Sequence, residues 1–290
     1  MAAIDPNLRI AAVELAVSDL PRSIDFYERV LGLPVISRDE HQAQLGPDPE
    51  RPALTLSGIA TPTPLPSAAT GLYHVAWLHP SRAALAETVR RVAGSRWQFE
   101  GASDHGVSEA LYLSDPDGLG IEIYVDRPRE LWERAEDGHG VRMYTLALDL
   151  EDLLAQFPND PTPAIATGTG IGHVHLKVAD VPRSSAFYRD VLGLEQQAAL
   201  PSAAFLAAGG YHHHIGVNSW QSRGATPAPD SAPGLRRIEF ELSDAGALEA
   251  LERGVSDGAT DDLQPVPAGD DDEQLALRDP DGQLLSFTYR

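Results

Sequence analysis

Alternation of apolar and polar positions is clearest in the stretch 170–178, Gly-Ile-Gly-His-Val-His-Leu-Lys-Val, where a period of two predicts a β-strand. A segment with helical character follows at 181–192, and Gly193 is suited to end that helix because glycine readily adopts a left-handed conformation. Side chains two residues apart on a strand share a face. His173 and His175 are therefore expected to point to the same side of the sheet.

The same strand-then-helix pattern occurs near the N-terminus. Residues 10–35 align without gaps to residues 171–196, and more than half of the aligned positions are identical. The shared residues include a Pro-Arg-Ser triplet at the start of the helix and the run Phe-Tyr-x-x-Val-Leu-Gly-Leu at its end. An internal repeat of this kind indicates a fold built from copies of one supersecondary unit.

A weaker pair of matching segments starts at Gly71 and Gly234. Each begins with a strand, continues with an Ala/Leu/Glu-rich helix (roughly 81–93 and 244–253), and ends in an Asp-Pro-Asp-Gly turn followed by a strand. The pattern predicts four units of strand, helix and about three strands (βαβββ). We call them units one to four, starting near residues 8, 71, 170 and 234.

The four units divide the chain into two modules. The first module, 1–125, contains units one and two, and the second, 170–290, contains units three and four. Between them lies a connecting segment, 126–169, which is longer than an ordinary loop. Part of this segment is predicted to be helical, at 128–135 and 150–157.

Composition restricts the function. At 290 residues and 42% hydrophobic content the chain can bury large cores. It has no cysteine, so its metal ligands would be His, Asp, Glu or neutral groups. The net charge of -21 argues against nucleic-acid partners. The start of the chain lacks a signal-peptide pattern, and no apolar run approaches the ~20 residues of a membrane span. A soluble cytoplasmic protein without membrane partners is expected.

The repeated strand–helix signature ending Phe-Tyr-x-x-x-Leu-Gly resembles that of the vicinal oxygen chelate superfamily, which includes glyoxalases and bleomycin-resistance proteins. The resemblance covers nearly the whole chain. It implies an α+β fold in which βαβββ units form two cupped, open-barrel mixed β-sheets, each able to hold a metal. It does not by itself imply one activity.

The resemblance also implies where metal ligands stand: on the first strand of one unit and on the first and last strands of its partner. Ligand-competent residues occupy these positions only in units two and three, as His74, Glu122 and His173. We therefore expect unit two to pair with unit three, and unit one with unit four. The corresponding residues of units one and four are Ala12, Arg237 and Ser286.

Each candidate ligand taken alone also fits a structural role, as a strand histidine or an exposed strand glutamate. Their coincidence at matched positions of the repeat favours the metal site. His175 shares a strand face with His173 and is the main rival for that ligand position. Two histidines and one carboxylate are the ligand set of non-haem Fe(II) oxygenases. Fe(II) is therefore the favoured metal and Mn(II) the alternative, with no organic cofactor expected.

Within the superfamily, the chain is similar to two-module catechol 2,3-dioxygenases, which use two histidines and one glutamate. That family has a histidine doublet on a pocket-lining strand, which corresponds here to the run 212–214 and places His213 at the acid–base position. It also has a tyrosine ten residues before the glutamate ligand, here Tyr112, which would donate a hydrogen bond to substrate. His105 and His212 are further candidate pocket residues.

The resemblance implies extradiol cleavage of a small catechol-type aromatic diol by O₂, in a protein that could form a homo-oligomer. Two alternatives remain open from the sequence. One is another metal enzyme of the superfamily, such as a glyoxalase-like isomerase or lyase, which would consume no O₂. The other is a metal-free binding protein of the bleomycin-resistance type, which would hold its ligand between aromatic residues.

Overall fold

A computed structural model describes residues 3–136, 138–257 and 275–289 of the chain. The fold is mixed α+β, as predicted, and consists mostly of β-sheet with few helices. Within the described ranges, no helix is long and apolar enough to cross a membrane.

Units one and two each show the predicted order of one strand, one helix and three strands. Unit one contains β1 (Arg9–Val17), α1 (Leu20–Phe26), β2 (Val35–Arg38), β3 (Gln42–Leu45) and β4 (Leu54–Gly58). Unit two contains β5 (Gly71–Leu78), α2 (Arg82–Gly94), β6 (Gly101–Asp104), β7 (Ser108–Ser114) and β8 (Gly120–Asp126).

The connecting segment contributes one short helix, and unit three follows the same order of elements. The described residues of unit four form one strand, one helix and two strands. The segment contains α3 (Leu150–Ala155). Unit three contains β9 (Gly170–Lys177), α4 (Val181–Ala186), β10 (Glu195–Leu200), β11 (Ala203–Ala207) and β12 (Ile215–Asn218). Unit four contains β13 (Gly234–Leu242), α5 (Ala245–Asp257), β14 (Leu275–Arg278) and β15 (Leu284–Tyr289). Residues 258–274 of unit four lie outside the described part of the chain.

The repeated helices begin and end in the same way in units one and three. Asp19 and Asp180 are the N-caps, and each carboxylate accepts a hydrogen bond from the backbone N–H three residues later. Both helices then widen into a π-helical turn, at Tyr27–Leu31 and Phe187–Val191. In unit three the helical segment ends at Gly193, whose φ of 77° lies in the left-handed region that glycine adopts most readily.

The first part of the connecting segment differs from its prediction, whereas the helix predicted at 150–157 is present as α3. In place of the helix expected at 128–135 there is a single 3₁₀ turn, Arg129–Leu131. The helical conformation ends there because the backbone of Trp132 is extended. The Trp132 indole N–H donates to the carbonyl of Arg127, and its ring packs against Tyr211. This tertiary packing of one aromatic side chain replaces the local helix.

Hydrogen bonding between the first strands divides the sheet into two halves. β5 pairs antiparallel with β9, and β8 and β12 flank them in parallel, which gives the order β6-β7-β8-β5-β9-β12-β11-β10. We call this the unit two–three half-sheet. β1 pairs antiparallel with β13 in the same manner; β4 flanks β1 and β15 flanks β13, both in parallel. A single pair of residues, Ile10 and Ile171, joins β1 to β9 between the halves.

The repeated tyrosine in the π-helical turn of units one and three reaches the repeated Asp-Pro-Asp-Gly turn of the following unit. The Tyr27 hydroxyl donates to Asp115 at 3.2 Å, and the Tyr188 hydroxyl donates to Asp279 at 2.9 Å. All four side chains are buried, and burial raises the pKa of both carboxyls to about 6. These bonds connect unit one to unit two and unit three to unit four, across the division of the sheet.

We expect Tyr27→Phe and Tyr188→Phe each to lower the free energy of unfolding by about 1–2 kcal/mol, because each leaves a buried carboxyl short of one donor. Urea denaturation would measure the effect. Tyr144→Phe, which removes a hydroxyl from a half-buried tyrosine, is the control and should change stability by less than about 0.5 kcal/mol. Wild-type stability in both buried variants would contradict this role for the pair.

Candidate metal centre and cavity

Three buried side chains converge on the unit two–three half-sheet. His74 lies on β5, Glu122 on β8 and His173 on β9, and all three are at most 6% exposed. β5 is the middle strand, and its Ala76 is directly opposite Glu122 on one side and His173 on the other. His74 is two residues from Ala76 and shares its face. The small Ala76 side chain leaves the space that the three larger side chains enter.

The atoms of this group form a compact triangle. Glu122 Oε2 is 3.0 Å from His74 Nε2 and 3.2 Å from His173 Nε2, and the two Nε2 atoms are 3.3 Å apart. Three ligands at about 2.1 Å on one face of an octahedron would themselves be about 3 Å apart. The spacing and the two-nitrogen, one-oxygen donor set therefore fit a single divalent metal ion. This is the one such group of His, Asp or Glu found within the described ranges.

Protonation states at this triangle also suit a metal. Burial lowers the pKa of His173 to about 4, which leaves a neutral imidazole at pH 7. Burial acts to raise the pKa of Glu122, but His173 and His74 outweigh it and hold that pKa well below its usual value. A carboxylate beside a neutral imidazole is the form that binds a cation, since metal ligands must be deprotonated.

A cavity of about 300 Å³ lies against the triangle, with His74 and Glu122 in its wall. Its apolar lining includes Tyr73, Phe205 and Trp220, which sequence reasoning did not identify as site residues. The Tyr73 ring centroid is 5.3 Å from that of Trp220. Such volume and lining suit a small, mostly apolar ligand with a few polar groups. No local motif marks these residues, since they come from β5, β11 and the loop after β12.

Tyr112 and His105, both predicted pocket residues, line the cavity and bond to each other at 2.7 Å. His105 Nδ1 is 2.9 Å from the Tyr144 carbonyl and must carry hydrogen there, because a carbonyl only accepts. His105 Nε2 then accepts from the Tyr112 hydroxyl if the ring is neutral. Burial, followed by the charge of Glu122, raises the pKa of Tyr112, so it remains a phenol.

His175 also lines the cavity, as expected from its shared face with His173. Its Nε2 atom is 3.1 Å from Asn218 Nδ2, whose amide N–H can donate to it. Its ring centroid is 5.0 Å from that of His74, but it is not part of the compact triangle. Burial lowers the pKa of His175 well below its usual value, so the ring is neutral.

The histidine run 212–214 was expected on a strand, but it lies in the loop between β11 and β12. Strand β12 begins at Ile215, after the run. His212 Nδ1 and His213 Nδ1 are 2.8 Å apart, a contact that neighbouring residues of a strand cannot make because their side chains point to opposite faces. His213 lines the cavity, with its ring centroid 4.0 Å from that of His173. Burial and the nearby His173 hold the pKa of His213 well below its usual value.

His212 is fully buried behind His213, where its Nε2 atom is 2.9 Å from Asp126. The sequence predicted His212 as a pocket residue and did not identify Asp126 as its hydrogen-bond partner. A signal was present: Asp126 lies four residues after Glu122 on β8, so a period of two puts both on the same face.

A family model described as Glyoxalase/Bleomycin resistance protein/Dioxygenase superfamily matches residues 9–123 and 170–287. The chain is 43% identical over 258 residues to "Catechol-2,3-dioxygenase" of Bacillus subtilis (strain 168), covering 88% of this chain and 90% of that protein. It is 27% identical over 131 residues to "Lactoylglutathione lyase" of Escherichia coli O157:H7, covering 41% and 94%.

Among solved structures, glyoxalase I from Zea mays has a TM-score of 0.57 at 18% identity and covers 98% of this chain and 92% of its own; this likeness concerns the fold alone. The two matched segments of the family model take in all four βαβββ units and the residues of the His74–Glu122–His173 triangle. The chain therefore belongs to the glyoxalase/bleomycin resistance protein/dioxygenase superfamily.

Proposed function

We propose that the protein is an extradiol ring-cleaving dioxygenase that acts on a catechol-type aromatic diol with O₂ at a mononuclear two-histidine, one-glutamate metal site. The observation that carries the proposal is the buried triangle of His74, Glu122 and His173 beside an aromatic-lined cavity. The 43% identity to a catechol-2,3-dioxygenase along 88% of the chain supports it.

His74, Glu122 and His173 would hold the metal, for which we propose Fe(II), with Mn(II) as the alternative. When bound, the metal would supply the redox-active centre at which a closed-shell diol and triplet O₂ can react. The three ligands come from one side of the half-sheet, so the side facing the cavity stays open for small molecules.

The cavity walls would bind and orient the aromatic ring. Tyr73, Phe205 and Trp220 line the cavity, and aromatic faces of this kind pack well against a planar ring. These rings also exclude water from the reacting diol, which strengthens each hydrogen bond made inside. The polar groups of the cavity, among them Tyr112 and His213, would set the position of the two hydroxyls.

His213 is proposed as the acid–base residue. Its low pKa keeps the imidazole neutral at pH 7, the form that can accept a proton from a diol hydroxyl and later return it. Its position beside His173 places it within reach of a molecule held at the metal, without making it part of the ligand triangle.

Tyr112 is proposed to stabilise negative charge on a substrate oxygen. In the present arrangement the Tyr112 hydroxyl is 2.7 Å from His105 Nε2. Donation to substrate would follow when the hydroxyl rotates toward the cavity. His105 is thus proposed to control which way the Tyr112 hydroxyl points.

A second candidate is a glyoxalase-like lyase or isomerase, favoured by the similarity of part of the chain to lactoylglutathione lyase. Metal analysis of anaerobically purified protein, followed by O₂ uptake with catechol, separates the two. Stoichiometric iron or manganese and O₂ consumed one-for-one with ring-cleaved product would support the dioxygenase. A metal-loaded protein that consumes no O₂ with any catechol would exclude it.

We expect Glu122→Ala to lose both bound metal and ring-cleavage activity while the fold survives, because one of three ligands is removed and the core is not. Metal stoichiometry and circular dichroism would measure this. Glu87→Ala is the matched control: this buried glutamate lies on α2 away from the triangle, and its loss should leave metal content and turnover near wild type. Full metal occupancy in Glu122→Ala would rule out this ligand assignment.

We expect His213→Phe to keep metal content near wild type while turnover falls by about 10²–10⁴-fold, the usual contribution of general acid–base catalysis. Metal stoichiometry and turnover are measured on the same preparation. The control is His214→Gln, at a buried neighbour whose Nδ1 atom accepts from the Ala208 amide, and it should turn over within about threefold of wild type. Metal lost in step with activity would make His213 a ligand, and unchanged turnover would remove it from the mechanism.

A further inference from the structure

A continuous chain of three polar side chains runs from the cavity to the end of β8. His213 borders the cavity, and its Nδ1 atom is 2.8 Å from His212 Nδ1. On the far side of the His212 ring, Nε2 is 2.9 Å from Asp126 Oδ1. The His212 side chain is 1% exposed and that of Asp126 24%, so the chain leads from the buried site toward the surface.

The direction of each hydrogen bond follows from the carboxylate. A carboxylate oxygen only accepts, so His212 Nε2 must carry the hydrogen in its contact with Asp126 Oδ1. In a neutral imidazole only one nitrogen carries hydrogen, so His212 Nδ1 has a free lone pair and accepts. His213 Nδ1 must therefore be the donor. The remaining nitrogen of His213, Nε2, is left without hydrogen. A base that takes a diol proton needs such an unprotonated nitrogen.

Packing holds these rings in place. The Tyr211 hydroxyl donates to the same Asp126 oxygen at 3.3 Å, and the hydroxyls of Tyr124 and Tyr211 are 2.7 Å apart. The His212 ring lies 4.1 Å from the Tyr211 ring and 5.4 Å from that of Trp132. Thus Trp132, which follows the 3₁₀ turn that replaced the expected helix in the connecting segment, packs against the His212 ring.

We propose that Asp126 and His212 are a positioning pair that fixes the tautomer and orientation of His213, so that its Nε2 lone pair faces the substrate. The inference rests on the proposed function for its catalytic consequence, but the tautomer itself is a property of the protein alone. In the step concerned, the diol O–H bond breaks, its proton forms a bond to His213 Nε2, and the electron pair stays on the diol oxygen. Neither His212 nor Asp126 gains a proton.

The test is Asp126→Asn, which preserves shape and removes the acceptor-only carboxylate. The asparagine amide can donate to His212 Nε2, which reverses both hydrogen bonds and moves the His213 hydrogen to Nε2. Nitrogen-15 NMR of histidine-labelled, metal-free protein reports the tautomer, and His213→Phe identifies the signal. We expect hydrogen on Nδ1 of His213 in wild type and on Nε2 in the variant.

In metal-loaded protein, Asp126→Asn should lower kcat about 10–10³-fold while KM for catechol stays within about threefold and metal content is unchanged. Asp126→Glu, which restores a carboxylate, should recover part of the loss. Asp117→Asn is the control, since it neutralises another carboxylate whose side chain is only 5% exposed. Asp117 accepts a hydrogen bond from the Ser18 hydroxyl and not from a histidine, so the kcat of this variant should stay near wild type.

Hydrogen on His213 Nε2 in wild type would overturn the proposal, as would a variant with the wild-type tautomer, whatever its kcat. If the proposed function is wrong, wild-type protein will cleave no catechol. The nitrogen-15 NMR measurement on metal-free protein would still determine the tautomer of His213, so the two failures are distinguishable.

Discussion

The antiparallel pairing of β5 with β9 is the constraint on which the site depends. It aligns Ala76 with His173, while the parallel pairing of β5 with β8 aligns Ala76 with Glu122. Backbone hydrogen bonds thereby fix the two outer side chains at one level of the sheet, and His74 reaches them from two residues away on the same face. A slip of one residue would turn His74 to the opposite face. The register of one strand pair thus determines whether the triangle exists.

The half-sheet built from units one and four shows the same register with the opposite pattern of side-chain size. There Glu239 takes the central position and is opposite Ala12 and Ser286, so a large residue stands between two small ones. Arg237 occupies the position of His74 and forms an ion pair with Glu14 at 3.5 Å. The same backbone therefore presents a cluster of candidate ligands in one half and an internally paired surface in the other.

Burial imposes a cost that the site must offset. An isolated ionised carboxylate and unpaired imidazole nitrogens are unfavourable in a low-dielectric interior unless hydrogen-bonded or bound to a cation. Glu122, at 3% exposure, is within hydrogen-bond distance of His74 and His173, and these two side chains hold its pKa well below the usual value despite its burial. Farther from the triangle, the hydrogen bond to Asp126 offsets the cost of burying His212. Asp126 at the end of β8 is thereby connected, through His212, to His213 in the cavity wall.

The sequence by itself determined the superfamily, the α+β class and the positions of the repeated elements, because strand alternation, helix caps and turn residues are local signals that the repeat doubles. It also singled out His74, Glu122 and His173 as candidate ligands, since the positions that the superfamily resemblance implies for ligands carry ligand-competent side chains only in units two and three. Only the tertiary structure decided the aromatic walls, the loop conformation of His212 and His213, the hydrogen bond between His105 and Tyr112, and the loss of the helix at Trp132. Each of these depends on contacts between residues far apart in the chain, and neither periodicity nor propensity carries information about such contacts.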